Sequence, residues 1–326
     1  MAGAATVVVT GAAGFIGRAA CAALEARGYA VRGLVRALDA GTAARAQFLP
    51  AGDLVAIDDR RLAELMHGAT HVVHLAARVH QPHAAGESAR AAMRKTNVDV
   101  TVRLARAAVD AGAAQFVFAS TIKVNGEMTL PGRPLRESDP PDPHDDYATS
   151  KWDAELMLAE LAEAAGMRVT SLRLPLTYGP RAKANFAALA RAVRSGVPLP
   201  FAAIDNRRSL LGVGNLGDAL ATLLGSGDAD ARGRNTPYLL ADAEPVSTPE
   251  LARAIAHALG VAPRLFAFPE SLLRFAGACA GRAAAVERLV GSLEADTAAF
   301  RGRFAWTAPR SLAEELADAF APGPPL

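Results

Sequence analysis

A run of β-branched residues, Thr6-Val-Val-Val-Thr10, passes directly into Gly11-Ala-Ala-Gly14-Phe15-Ile16-Gly17, and a helical pattern from Arg18 to Arg27 follows. Few arrangements constrain a chain so tightly. One glycine permits the sharp strand-to-helix turn, and another lets a pyrophosphate come close to the backbone. The start of the helix offers unpaired N–H groups and the positive end of a dipole. Glycine-rich turns are common by themselves. Set between a first strand and a first helix, with a second strand at Val31 to Val35, this one predicts a dinucleotide cradle of Gly11, Gly14, Phe15, Ile16 and Gly17.

The same rhythm continues. Short apolar runs at Leu54 to Ile57, His71 to Leu75, Gln115 to Ala119 and Arg168 to Leu174 alternate with longer helical patterns. Strands that are apolar on successive residues are buried on both faces, so the expected architecture is α/β: a Rossmann-type doubly wound parallel sheet. Beyond Tyr178 the pattern breaks, with Pro180, Pro198, Pro200, Pro245, Pro249, Pro263 and Pro269 separating helices from irregular pieces. The expected organisation is a dinucleotide-binding domain over residues 1–178 and a smaller C-terminal α/β substrate domain over residues 179–326, with part of 209–235 packing back on the first.

Composition narrows the partners. Lys+Arg and Asp+Glu number 35 and 33 in 326 residues, with no long run of either sign, which argues against a nucleic-acid or polybasic membrane surface. The two cysteines, Cys21 and Cys279, lie too far apart in sequence for a disulfide framework and fit a reducing cytoplasm. The most apolar stretch, Leu265 to Leu289, is broken by Pro269, Glu270, Arg274, Arg282, Glu287 and Arg288 and reads as packed amphipathic helices rather than a membrane span. No metal site is expected.

At the end of the second strand, an acid would hold the ribose 2′-hydroxyl of NAD. The chain has Arg36 there, whose guanidinium fork matches a 2′-phosphate, so NADP(H) is favoured and NAD(H) is the alternative. Asp58 is the candidate for the adenine ring, with Asp53 as its competitor.

Tyr147-Ala-Thr-Ser-Lys151 opens a helical pattern, Trp152 to Ala165, and its spacing places a phenol and an ammonium on one helix face. A free phenol has a pKa of about 10, and a nearby cation brings it towards neutrality as an acid or base. The pattern is common by chance. It gains meaning by following both the cradle and Phe116-Val-Phe-Ala-Ser120-Thr121, a strand that ends in hydroxyls.

With Gly11/Gly14/Gly17, His74-Leu75-Ala76-Ala77, Asn97, Ser120-Thr121, Tyr147/Lys151, Arg173-Leu-Pro175 and Tyr178-Gly-Pro180 in one order, the whole chain resembles the extended short-chain dehydrogenase/reductase family of nucleotide-sugar epimerases, dehydratases and reductases. The resemblance implies that Tyr147 carries the proton, that Lys151 binds the nicotinamide ribose and lowers the tyrosine pKa, and that Thr121 hydrogen-bonds the substrate oxygen. It places Leu75, Ala76, Ala77 and Pro175 along the cofactor. Asn97 either supports the neighbouring strand or touches the ribose. For a UDP-sugar it implies Lys123, Asn185, Phe201, Arg208 and Arg288, with the arginines facing a diphosphate. A homodimer through the Tyr147 helix and the one over residues 87–111 follows the family habit.

The family's 4,6-dehydratases carry an Asp-Glu pair after the catalytic hydroxyl residue, where this chain has Ile122-Lys123. Ser120-Thr-Ile-Lys-Val-Asn-Gly-Glu127 resembles reductases of UDP-4-keto-6-deoxy-N-acetylhexosamines in surface-polysaccharide synthesis, including the formation of UDP-N-acetylquinovosamine. With Arg36 pointing to NADPH, 4-keto reduction is the leading expectation. A UDP-glucose or UDP-N-acetylglucosamine 4-epimerase with bound NAD is the alternative. A non-catalytic redox sensor is a third reading, disfavoured because it would not need Thr121, Tyr147 and Lys151.

Overall fold

The computed structural model describes residues 5–38, 48–79, 86–130, 132–227 and 232–321. Strand β1 (Thr6–Thr10) is buried on both faces and sits near the middle of a seven-stranded sheet. On one side it pairs in parallel with β2 (Ala30–Val35), and β2 pairs with β3 (Phe48–Pro50). On the other side come β4 (His71–His74), β5 (Gln115–Thr121), β6 (Arg168–Leu174) and β9 (Asn235–Leu239), all parallel. The order β3-β2-β1-β4-β5-β6-β9 reverses direction between β1 and β4. Chains leaving those two strands diverge to opposite faces and open a crevice at their C-terminal ends, where open α/β sheets bind ligands.

Helices α1 (Phe15–Ala26) and α7 (Val213–Gly225) cover one face over a core that includes Val7, Val9, Leu24, Leu172 and Leu220. They approach closely because Gly217 faces Ala23: a Cβ at 217 would lie 2.7 Å from the Ala23 methyl. The other face carries α2 (Asp59–Met66), α4 (Val100–Asp110) and α5 (Asp146–Ala165), over Val8, Val72, Phe116, Leu104 and Leu158. Ahead of α4 run α3 (Glu87–Arg94) and a wide helical turn at Lys95–Asp99.

One sequence expectation is corrected here. The third strand is Phe48–Pro50, not Leu54 to Ile57. After Ala51, whose N–H closes on the Val35 carbonyl, the chain turns at Gly52 (φ +70) and Asp53, whose carboxylate and carbonyl accept the N–H groups of Val55, Ala56 and Ile57. Leu54, Val55 and Ile57 still pack on the core, but from a turn. The helix carrying Tyr147 begins at Asp146, where the Asp145 carboxylate caps it by accepting the Ala148 N–H at 2.7 Å.

A second core gathers Tyr178, Phe186, Leu210, Leu251, Ile255 and Leu316. It is built from the short parallel pair β7 (Leu176–Tyr178) and β8 (Leu210–Gly212), with α6 (Ala184–Arg194), α8 (Thr248–Ala258) and α12 (Leu312–Phe320). Helices α9 (Glu270–Cys279) and α10 (Ala283–Val290) form a hairpin tied by Arg274 to Glu287, and α11 (Ala298–Phe304) packs on β9. Among the described residues no helix is long and apolar enough to cross a membrane.

Candidate active site

The turn after β1 has the shape that its glycines allow. Gly11 takes φ +69, and a Cβ there would sit 2.9 Å from the Ala76 backbone nitrogen. A Cβ on Gly17 would lie 2.1 Å from the Gly11 carbonyl oxygen, so the helix and strand meet only because that position is bare. Gly14 N–H donates to that same oxygen at 2.9 Å, and α1 begins on Gly14 with no side-chain cap. Its first N–H groups are free for a ligand anion.

The turn opens on a cavity of about 630 Å³ lined by Gly11, Gly14, Val35, Arg36, Asp53, Leu75, Ala76 and Ala77 among others. Arg36 is exposed at its edge, and Asp53 lines the same cavity. Asp58 does not line it. Its carboxylate accepts the Arg61 N–H at 2.7 Å as the cap of α2, so of the two carboxylates weighed for the adenine side, the cavity has Asp53.

A chain of hydrogen bonds runs from the end of β1 to α5. Thr10 Oγ1 accepts the Ala76 N–H at 3.3 Å and lies 2.6 Å from His74 Nδ1. His74 Nε2 lies 2.9 Å from Thr101 Oγ1, which donates to the Asn97 carbonyl at 2.7 Å. With that hydroxyl proton committed, Thr101 accepts from Nε2–H, and Nδ1 accepts from Thr10, so the network assigns one neutral tautomer. Burial, with the Lys151 ammonium second, pushes the His74 pKa down to about 3. Asn97 is buried, accepts the Arg78 N–H and donates to the Arg78 carbonyl and to Ser150 Oγ, itself a donor to the Tyr147 carbonyl. These contacts give Asn97 a bracing position between the strand crossover and α5.

Lys151 is only 2% exposed. Its Nζ donates to the Ala119 carbonyl at 2.7 Å and stands 4.4 Å from the Phe118 ring centre and 5.9 Å from that of Tyr147. Burial pulls its pKa down to about 7, opposed by the Glu155 carboxylate one helical turn on. The surrounding protein pushes the Tyr147 phenol up to about 12, with the nearby Asp145 carboxylate adding to the rise. Thr121 ends β5 and is buried, as is Pro175 after β6. Thr121 thus ends β5 two residues beyond the carbonyl that holds the Lys151 ammonium, and the Tyr147 ring lies on the same helix as that ammonium.

Residues 7–237 match the NAD dependent epimerase/dehydratase family. The chain belongs to this family. UDP-glucose 4-epimerase of Vibrio cholerae is 36% identical over 320 residues, spanning 97% of this chain and 95% of that protein. Among solved structures, UDP-N-acetylglucosamine 4-epimerase from Bacillus cereus has a TM-score of 0.76 over 97% of this chain and 98% of that one, at 17% identity, a likeness of fold. MoeE5 in complex with UDP-glucose and NAD has a TM-score of 0.73 at 25% identity, covering 96% and 97%.

A cationic corner lies in the second half of the chain. The guanidinium of Arg208 donates to the Gly291 carbonyl at 2.8 Å. Burial lowers its pKa, and the charge of exposed Arg288 lowers it further. Asn206 holds this corner by donating to the Leu289 and Gly291 carbonyls and accepting the Thr248 N–H. The corner adjoins the turn that follows β5, since Leu293 packs with Ile122 and the Ser209 N–H donates to the Leu293 carbonyl. Phe201 is half-buried against the second core, and Asn185 is exposed on the first turn of α6. Lys123 has its ammonium between Glu127 and Asp145.

Sequence reading assigned no role to Glu155, Asn125 or Asp145. Glu155 takes a bidentate pair from Arg173 and a 2.5 Å hydrogen bond from Ser120, while Arg173 also donates to Asn125. Lys151 to Glu155 is itself an i, i+4 step, the one local signal that pointed towards this network.

Proposed function

We propose that this protein interconverts UDP-hexoses by epimerisation at C4, with UDP-glucose and UDP-galactose as the first pair to test. The observation that carries the reading is end-to-end similarity to the Vibrio cholerae UDP-glucose 4-epimerase, together with Thr121, Tyr147 and Lys151 at one sheet edge. It displaces 4-keto reduction, which rested mainly on Arg36 and the absence of an acid to bind the ribose. Asp53 in the same cavity weakens that argument and supports NAD, with Asp53 on the adenosine side.

The cavity and bare glycine turn fit a dinucleotide held by Gly11, Gly14, Phe15, Ile16, Ala76, Ala77 and Lys151. When bound, NAD supplies a hydride acceptor and donor at the sugar carbon. Tyr147 takes the proton of the sugar 4-hydroxyl during oxidation and returns it during reduction. Thr121 hydrogen-bonds the same oxygen, and the Lys151 ammonium favours the phenolate. Arg208 and Arg288 hold the diphosphate, leaving the hexose free to turn its other face.

Incubation with UDP-galactose should yield UDP-glucose with no net change in reduced nicotinamide. Consumption of NADPH with a UDP-4-keto sugar, and no interconversion, would restore the reductase. Parallel titration of NAD and NADP into wild type and Arg36→Asp decides the cofactor. A homodimer through α5 is proposed on the exposed Leu156 and on a groove lined by Val102, Val109, Met157 and Leu161, and light scattering tests it.

A further inference from the structure

Helix α9 has Leu272, Phe275, Ala276 and Cys279 at positions i, i+3, i+4 and i+7, which puts them on one face, and all four are exposed. Phe275 is 69% exposed and Leu272 50%. The hairpin with α10 closes on the other side, where buried Gly277 packs against Val286 and Arg274 meets Glu287. Nine large apolar side chains are exposed among the described residues, and five of them lie on or beside this hairpin. Phe266 precedes α9 by four residues. Met128 and Leu130 run beside the exit of α10, with the Met128 sulfur 3.6 Å from the place a Cβ on Gly291 would take. An apolar stripe left open to water marks a contact surface.

The charges around the stripe are unbalanced towards the positive. Residues 261–290 contain four arginines and two glutamates. Both glutamates contact one guanidinium, that of Arg274: Glu270 at 3.9 Å, and Glu287 more closely. Arg288 is the cation assigned above to the diphosphate. Arg264 and Arg282 remain, both exposed, and neither pairs with an acid among the described residues. Arg282 is the N-cap of α10 at the hairpin tip, three residues beyond Cys279 at the end of the stripe. A second copy docked on this face through a two-fold axis would bring its own Arg264 and Arg282 to the contact, with both hairpin glutamates already engaged. An anionic lipid surface complements both features: acyl chains receive the apolar side chains, and headgroup phosphates receive the guanidinium groups.

We propose that the outer face of α9 is a docking surface for an anionic lipid bilayer, entered by Leu272 and Phe275 and held at the headgroups by Arg264 and Arg282. The contact is peripheral. A helix of 10 residues is too short to cross a bilayer, and its one-sided apolar stripe suits a position in the plane of the interface. The hairpin leads into the cationic corner, since Arg208 donates to the carbonyl of Gly291, the residue that follows α10. Docking therefore holds that corner at the base of the anchored hairpin. Thr121, Tyr147 and Lys151 lie on other elements, β5 and α5, and take no part in the contact.

The measurement is co-sedimentation of the full chain with vesicles of mixed phosphatidylcholine and phosphatidylglycerol, and with vesicles of phosphatidylcholine alone. It needs no sugar turnover, so failure to epimerise a UDP-sugar would overturn the functional reading and leave this test intact. The wild type should bind the mixed vesicles more tightly. Leu272→Ser with Phe275→Ser should weaken that binding by about 10-fold or more, through loss of the apolar contact. Arg264→Glu with Arg282→Glu should weaken binding to the mixed vesicles by about 10-fold and leave binding to phosphatidylcholine unchanged. Both pairs of substitutions lie outside the cofactor cavity, so an unchanged NAD affinity reports that each variant is folded. A wild type that stays in solution beside the mixed vesicles overturns the proposal, as does vesicle binding that the serine pair leaves intact. An assembly in light scattering that the serine pair breaks down, without vesicle binding, assigns the face to a second copy and overturns it too. Were the serine pair not to fold, undiminished binding of the glutamate pair to the mixed vesicles would overturn it equally.

Discussion

His74 has both ring nitrogens occupied in a network that needs the neutral ring, and its pKa falls to about 3 in the folded protein. The unfolded chain takes up that proton near pH 6.5. The His74 contribution to stability is therefore complete above pH 6.5 and is lost as pH falls towards 3, at a slope of about 1.4 kcal/mol per pH unit. Urea unfolding at pH 7, 6 and 5 should show this slope, and His74→Gln should flatten it even if that variant starts less stable. Tyr147→Phe removes only the transferable proton, so turnover should fall by about 10²-fold or more while NAD affinity, read by calorimetry, is kept. The residues behind these expectations differ in how readable they were. Gly11, Gly14, Gly17, Tyr147 and Lys151 act through backbone turns and helix periodicity, which are local in sequence. Which aspartate lines the cavity depended on where the third strand ends, and two aspartates five residues apart could not be told apart without that strand end.

Among the elements, α5 carries Tyr147 and Lys151, and a buried ion pair joins it to β6. Glu155 and Arg173 are each 3% exposed at the side chain, 18 residues apart in sequence, with Asn125 a further partner of Arg173. Nothing in the periodicity of either segment reports such a pairing, because partners on different elements are chosen by packing. Removing the charge of Glu155 leaves a buried guanidinium without its counter-ion. Glu155→Gln should cost about 3 kcal/mol or more in denaturant unfolding, while Glu155→Leu with Arg173→Met should recover much of that loss. Strands were legible where both faces are buried. The short edge strand β3 was missed because the apolar run four residues later had the stronger strand composition, although its role is to pack a turn on the core.

For the molecule as a whole, a small apolar cluster joins Leu293 to Ile122, in the turn that follows β5, and to Leu239 of β9. Arg208→Ala should weaken UDP binding by about 1.5 to 3 kcal/mol with NAD affinity unchanged, since Arg208 does not line the cavity at the glycine turn; paired calorimetric titrations check both. The last strand to join the large sheet, β9, comes from residues 235–239, after the chain has passed through β7, α6, β8 and α7. During synthesis the growing chain thus emerges with the N–H and C=O row of β6 unpaired until residue 239 has left the ribosome. Ser171 and Glu155 wait equally long for Asn235, which accepts from the one side chain and donates to the other residue's carbonyl. A nascent fragment ending near residue 178 should be an open-edged, self-associating intermediate that a chaperone shields, and its aggregation on release should cease once the exposed length extends past β9.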